Sequence, residues 1–126
     1  MSHWKPDSYL SMSPYLMCHD AKRLIAFLEA AFDGTVQRRF DRPDGSVMHA
    51  EVKIDDSIVM IGGGMTTTAT PSLHIHLYVK DAVAGFEQAV AAGAQIVQEP
   101  VRKTADDDLR GGVQDPWNTT WWIATQ

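Results

Sequence analysis

The sequence predicts an α+β fold built from two βαβββ modules. Three observations predict it. The stretches Ser13-Pro14-Tyr15-Leu16-Met17-Cys18-His19-Asp20 and His74-Ile75-His76-Leu77-Tyr78-Val79-Lys80-Asp81 stand 61 residues apart, counted from Ser13 to His74 or from Asp20 to Asp81. Each runs into a helical pattern that stops before a glycine, Gly34 in one case and Gly93 in the other. Each helix is followed by three strand-like segments separated by turn residues. A repeat at this period marks a duplicated supersecondary unit. It also pairs positions between the halves, so one half tests the reading of the other.

Residues 1–11 read as an arm, with Pro6 and Pro14 favouring extended backbone. Residues 13–18 read as a strand. Asp20 is a natural N-cap for a helix over 21–32, because its carboxylate can accept the free amides of the first turn. Leu24, Ile25, Phe27, Leu28, Ala31 and Phe32 give that helix its apolar stripe. Gly34 can supply the left-handed residue that ends it. Strands are expected over 36–42, 47–54 and 58–62, with turns at Arg42-Pro43-Asp44-Gly45-Ser46 and Asp55-Asp56-Ser57. The Gly/Thr-rich residues 63–70 read as a linker. The second half repeats the order. A strand spans 73–79, Asp81 caps a helix over 82–92, and strands span 95–102, 109–114 and 119–124, with a turn at Asp115-Pro116-Trp117-Asn118. The acidic run Asp106-Asp107-Asp108 reads as a solvated loop. The chain is therefore one domain, with module one over about 13–62 and module two over about 72–125.

Composition narrows the function. The 126 residues carry 44% hydrophobic and 21% charged side chains, ordinary for a globular protein. A formal net charge of −5 argues against a nucleic-acid partner, whose phosphates need a basic face. Cys18 is the only cysteine, so no internal disulfide is available. No apolar run reaches the roughly 20 residues that cross a bilayer, and the first residues lack an apolar signal core. A cytoplasmic protein with no membrane partner is expected.

Strand alternation assigns side chains to faces. Leu73, Ile75, Leu77 and Val79 are apolar and should pack inward, which leaves His74, His76 and Tyr78 on the opposite face. By the repeat, Ser13, Tyr15 and Met17 share that face in the first half, with Leu16 and Cys18 inward. In 47–54, Met48, Ala50, Val52 and Ile54 form the core side, and His49, Glu51 and Lys53 the other. Trp121 and Ile123 read as core and Trp122 as the opposite face. His74 and His76 could chelate a metal, form the polar wall of a cavity, or simply hydrogen-bond. His49 and Glu51 are either an acid–base pair or a mutually solvated surface pair.

The segments Pro14-Tyr15-Leu16, Asp44-Gly45, Val47-Met48-His49-Ala50-Glu51, Leu77-Tyr78-Val79, Ala91-Ala92-Gly93-Ala94, Asp115-Pro116, Trp121 and Ile123-Ala124-Thr125 carry a family resemblance. The chain resembles the vicinal oxygen chelate superfamily of glyoxalase I, bleomycin-resistance proteins and extradiol dioxygenases, and within it the small PhnB-type members. The resemblance implies that the modules form a cupped mixed sheet with helices on the convex side and a ligand in the cup. It also implies a homodimer. Metal-dependent members place a ligand on the first strand of each half and a carboxylate on the last strand of each half. His74 matches one such position. Ser13, Met60 or Ile61, and Trp121 or Trp122 stand at the other three, and none is a hard ligand. No metal and no other cofactor is therefore expected, although a rearranged set of His74, His76, His49 and Glu51 remains open.

Aromatic and soft side chains stand where ligands were lost. Tyr15, Met60, Tyr78, Trp117 and Trp122 are expected to contact a small aromatic ligand, with His49, Glu51, His74 and His76 as polar contacts. Trp117 and Trp122 could instead fill the core or a subunit interface. The expected function is a metal-free binding protein of the bleomycin-resistance type, sequestering an aromatic natural product or antibiotic in a dimeric cup. The alternatives are a metal-dependent glyoxalase- or dioxygenase-like enzyme with an atypical ligand set, and an interaction module with no small ligand.

Overall fold

The structure is a computed structural model that describes residues 4, 6–64 and 73–126. The element order is β1 (Tyr15–Met17), α1 (Ala21–Phe32), β2 (Thr35–Asp41), β3 (Val47–Ile54), β4 (Ser57–Gly62), β5 (Leu73–Tyr78), α2 (Ala82–Ala91), β6 (Gln95–Val101), β7 (Leu109–Gln114) and β8 (Thr119–Thr125). This is βαβββ twice, as the repeat predicts. The linker expected over 63–70 lies, from residue 65 on, outside the described residues.

The chain divides into two compact units, Met1–Glu29 with Asp33–Thr68, and Ala30–Phe32 with Ala69–Gln126. Each holds one four-stranded mixed sheet, ordered β1-β4-β3-β2 in the first and β5-β8-β7-β6 in the second. The first strand pairs parallel with the last in both. All other pairings are antiparallel. A parallel pair within one short unit requires a crossover, and the helix supplies it.

Both helices start where an aspartate accepts a first-turn amide, Asp20 from the Arg23 N–H at 3.4 Å and Asp81 from the Ala84 N–H at 3.1 Å. Leu24 and Leu28 of α1 are fully buried, each contributing roughly 1.5–3 kcal/mol by leaving water. The helix ends differ from expectation in one respect. Asp33, not Gly34, takes the left-handed conformation after α1, with φ 56°. Gly34 is needed for space instead, because a Cβ there would lie 2.7 Å from Val52 Cγ1. Gly93 does take a positive φ, 114°.

The core of the first sheet is Leu16, Val47, Ala50, Val52, Ile54, Ile58, Val59 and Ile61. Met48 was expected among them and is 49% exposed. A bulge explains the shift. Phe40 pairs with His49 and Asp41 with Val47, so Met48 is the extra residue and its side chain turns away from the core. On β5, Ile75 and Leu77 are only half-buried and Leu73 is exposed.

In the second unit the core is built around Trp121, which is 1% exposed. Its ring meets that of Phe32 at 4.7 Å between centroids. Its indole N–H donates to the buried Asp115 carboxylate at 2.9 Å. The same carboxylate accepts the amides of Trp117 at 2.9 Å and Thr119 at 3.0 Å, which closes the turn into β8. Asn118 takes φ 69° in that turn, a conformation asparagine tolerates. Asp115→Ala would leave three buried donors without their acceptor. It should cost about 3 kcal/mol of stability, read from urea denaturation. A loss below about 0.5 kcal/mol would mean that water replaces the carboxylate.

Candidate ligand-binding surfaces

Register turns each sheet into rows of side chains on one face. In the first unit Tyr15 pairs with Met60, Met60 with Glu51, and Glu51 with Arg38. The next row is Met17, Gly62, His49 and Phe40. In the second unit the row through the histidine strand is His76, Trp122, Gly112 and Gln98. Its neighbours are His74, Thr120, Gln114 and Gln95 on one side, and Tyr78, Ala124, Arg110 and Val101 on the other. The register resolves one ambiguity of the sequence. Met60 stands opposite Tyr15 as Trp122 stands opposite His76, so Met60 and Trp122 are the equivalent positions of the two last strands.

On the first face Glu51 is only 4% exposed and is held by three groups. His49 Nε2 lies 2.7 Å from Oε2. The Tyr9 hydroxyl donates to Oε1. Arg38 Nε stands 3.4 Å from the same oxygen, with its guanidinium 5.5 Å from the centre of the Tyr9 ring. Burial pushes the Glu51 carboxyl up. The hydrogen bonds from His49 and Tyr9, with the Arg38 charge, outweigh burial and hold it below the ordinary glutamate range. Tyr9 is in turn raised, first by its bond to Glu51. His49 Nδ1 lies 3.0 Å from the Tyr15 hydroxyl, and the two rings are 5.7 Å apart. His49 and Glu51 are thus neither mutually solvated nor isolated. They are the middle of a chain from Tyr15 to Arg38. Gly62 makes room for it, since a Cβ there would fall 2.6 Å from Met17 Sδ and 3.0 Å from Tyr15 Cε1.

On the second face the Trp122 indole N–H donates to His74 Nδ1 at 3.0 Å. The two rings are nearly parallel, 9° apart, with centroids 6.2 Å apart. Trp122 is half-buried, and Gly112 forms its floor. A Cβ at Gly112 would lie 2.6 Å from Trp122 Cζ3. Arg110 Nε donates to His76 Nε2 at 3.2 Å, while its other nitrogens reach Asp107 at 3.4 Å and Asp108 at 3.2 Å. Asp108 also accepts the Tyr78 hydroxyl at 2.8 Å. That bond, and then the Asp108 charge, hold the Tyr78 phenol above the ordinary range. Indole and guanidinium nitrogens only donate, so both imidazole nitrogens facing them accept. Neutral His74 therefore carries its proton on Nε2, and neutral His76 on Nδ1.

The expected site residues thus fall into two groups. Tyr15, His49, Glu51 and Met60 lie together in the first unit. His74, His76, Tyr78 and Trp122 lie together in the second. Trp117 is placed differently, at 6% exposure in the turn beside Asp115. Tyr9, Arg38, Arg110 and Asp108 complete the networks and were not singled out from sequence. Two of the three residues of the acidic run are half-buried and bonded rather than solvated.

The donor set does not fit the metal that this fold commonly carries. Met60 offers a thioether, Trp122 a donor-only indole and Ser13 a hydroxyl at the other three expected positions. His74 Nδ1 accepts from Trp122, and Glu51 is committed to His49, Tyr9 and Arg38. Among the described residues, no three His, Cys, Asp or Glu side chains are gathered where they could hold an ion.

Fold and surfaces together define a duplicated βαβββ protein with aromatic, hydrogen-bonded sheet faces. A family model for the glyoxalase-like domain matches residues 14–123, and the chain belongs to that family, within the vicinal oxygen chelate superfamily. It is 35% identical over 123 residues to an uncharacterised protein of Mycobacterium bovis, covering 88% of this chain and 80% of that one. Among solved structures it is similar to TioX from Micromonospora sp. ML1, with a TM-score of 0.76 and 22% identity over 90% of this chain and 96% of that one. It is also similar to the fosfomycin resistance protein FosX from Listeria monocytogenes, with a TM-score of 0.73 and 13% identity over 91% of each chain. Among the described residues, no helix is long and apolar enough to cross a membrane.

Glu51 has a pH consequence. Its folded pKa lies below its unfolded one, so its ionised form contributes stability fully present above the ordinary glutamate value of about 4.3 and lost as pH falls through the folded value. Wild-type protein should lose stability on acidification below about pH 4.3 more steeply than Glu51→Gln. Urea midpoints across this range check the slopes, and parallel curves would exclude Glu51 as the source.

Proposed function

We propose that the protein is a metal-free small-molecule binding protein that sequesters an aromatic natural product or antibiotic as a cytoplasmic homodimer. One observation carries the reading. Trp122 stands where a metal carboxylate is expected, half-buried, with one edge fixed by His74 and its ring resting on Gly112. A ring held this way loses little conformational freedom when a second ring stacks on it. Sequestration needs affinity alone, and none of the groups described has to turn over. The likeness to a fosfomycin resistance protein supports a role with antibiotics. Tyr78 is the further aromatic contact on this face, with His74 and His76 as polar ones. The buried, lone Cys18 suits a reducing compartment.

Titration with daunorubicin, a planar aromatic antibiotic, should quench tryptophan fluorescence. Trp122→Ala should weaken that binding by about tenfold or more. Unchanged affinity would remove Trp122 from the site. A metal-dependent glyoxalase- or dioxygenase-like enzyme is the competing reading, because FosX has also been solved with Mn(II). Elemental analysis of protein purified without chelators separates the two. Stoichiometric metal that is lost in His74→Ala would overturn the metal-free reading.

A further inference from the structure

We infer that the Tyr15 hydroxyl oxygen is a polar anchor on the first sheet face and selects ligands that offer it a hydrogen-bond donor, such as a ring N–H. The inference rests on the binding reading above and adds the polarity of the ligand.

The proton count along the chain fixes that polarity. Glu51 is ionised and can only accept. Both its oxygens are used, Oε1 by Tyr9 and Arg38 and Oε2 by His49. The His49 proton must therefore sit on Nε2. With the ring neutral, Nδ1 presents a lone pair, and the Tyr15 hydroxyl at 3.0 Å has to be the donor. A phenol has one proton. Spent on His49, it leaves only lone pairs for anything else that approaches. Tyr15 is 50% exposed, so those lone pairs are reachable. A ligand donor meets an acceptor there; a ligand carbonyl meets another acceptor and loses its own hydration unpaid. Met17 and Phe40, both half-exposed in the adjoining row, give the flanking apolar surface that a ring requires. Gly62 lets Tyr15 lie close to the sheet and keeps that surface open.

Carbazole and fluorenone test this. Both are planar neutral tricycles of similar size; one offers a ring N–H and the other a carbonyl. Equilibrium dialysis should show carbazole bound about fivefold more tightly. Tyr15→Phe should bind both probes within about twofold of each other. Equal binding of the two by wild type, or a preference that survives in Tyr15→Phe, overturns the inference and leaves the binding reading intact. Binding of neither probe overturns both.

Discussion

The parallel pairing of the first strand with the last is the constraint on which each module depends. It joins the first strand of each unit to its sheet, and it can form only because the helix carries the chain across. It also sets the register in which Tyr15 meets Met60 and His76 meets Trp122. A slip of one residue would send every one of these side chains to the opposite side of the sheet. The buried residues Leu16 in the first module, and Trp121 and Ile123 in the second, hold the register by having no other place to go. The functional faces are therefore defined by the core behind them.

Two buried carboxylates show how the modules use charge. Asp115 and Glu51 are equally hidden from solvent, at 4% each. Asp115 is satisfied by amide and indole N–H groups alone, and burial leaves its carboxyl raised above the ordinary range. Glu51 has an arginine and a histidine as partners, and its carboxyl is lowered. At Asp115 burial outweighs three N–H hydrogen bonds, whereas at Glu51 the hydrogen bonds from His49 and Tyr9, with the Arg38 charge, outweigh burial. Asp115 accordingly serves the turn it closes. Glu51 supports a row of exposed groups.

Most of the fold was readable because its signals are local. Alternation and turn residues place β3 at 47–54 and β7 at 109–114, and the aspartate caps place both helices. The faces of β1 and β8 follow from the same alternation. What could not be read depended on partners distant in the chain. Met48 leaves the core because of where β2 pairs, and nothing in its own strand announces a bulge. Tyr9 reaches Glu51 across 42 positions from an arm with no periodicity. Arg38 and Arg110 lie on strands whose alternation marks them only as outward-facing. A carboxylate at an alternating position looks solvated until its partners are known, which is why the burial of Glu51 was missed while its face was right.

The repeat places Glu51 and Gly112 at matching points of their rows, since each neighbours the last-strand residue, Met60 or Trp122. One module holds a charge at that point and the other holds nothing. The first kind of site is costly to alter, because a change disturbs a set of mutually dependent bonds. The second is set by missing atoms. A single methyl added at Gly112 would fall 2.6 Å from the indole and push it away, straining its bond to His74. The lie of the indole in the second module is thus fixed by an absence, and one carbon on the neighbouring strand is enough to move it.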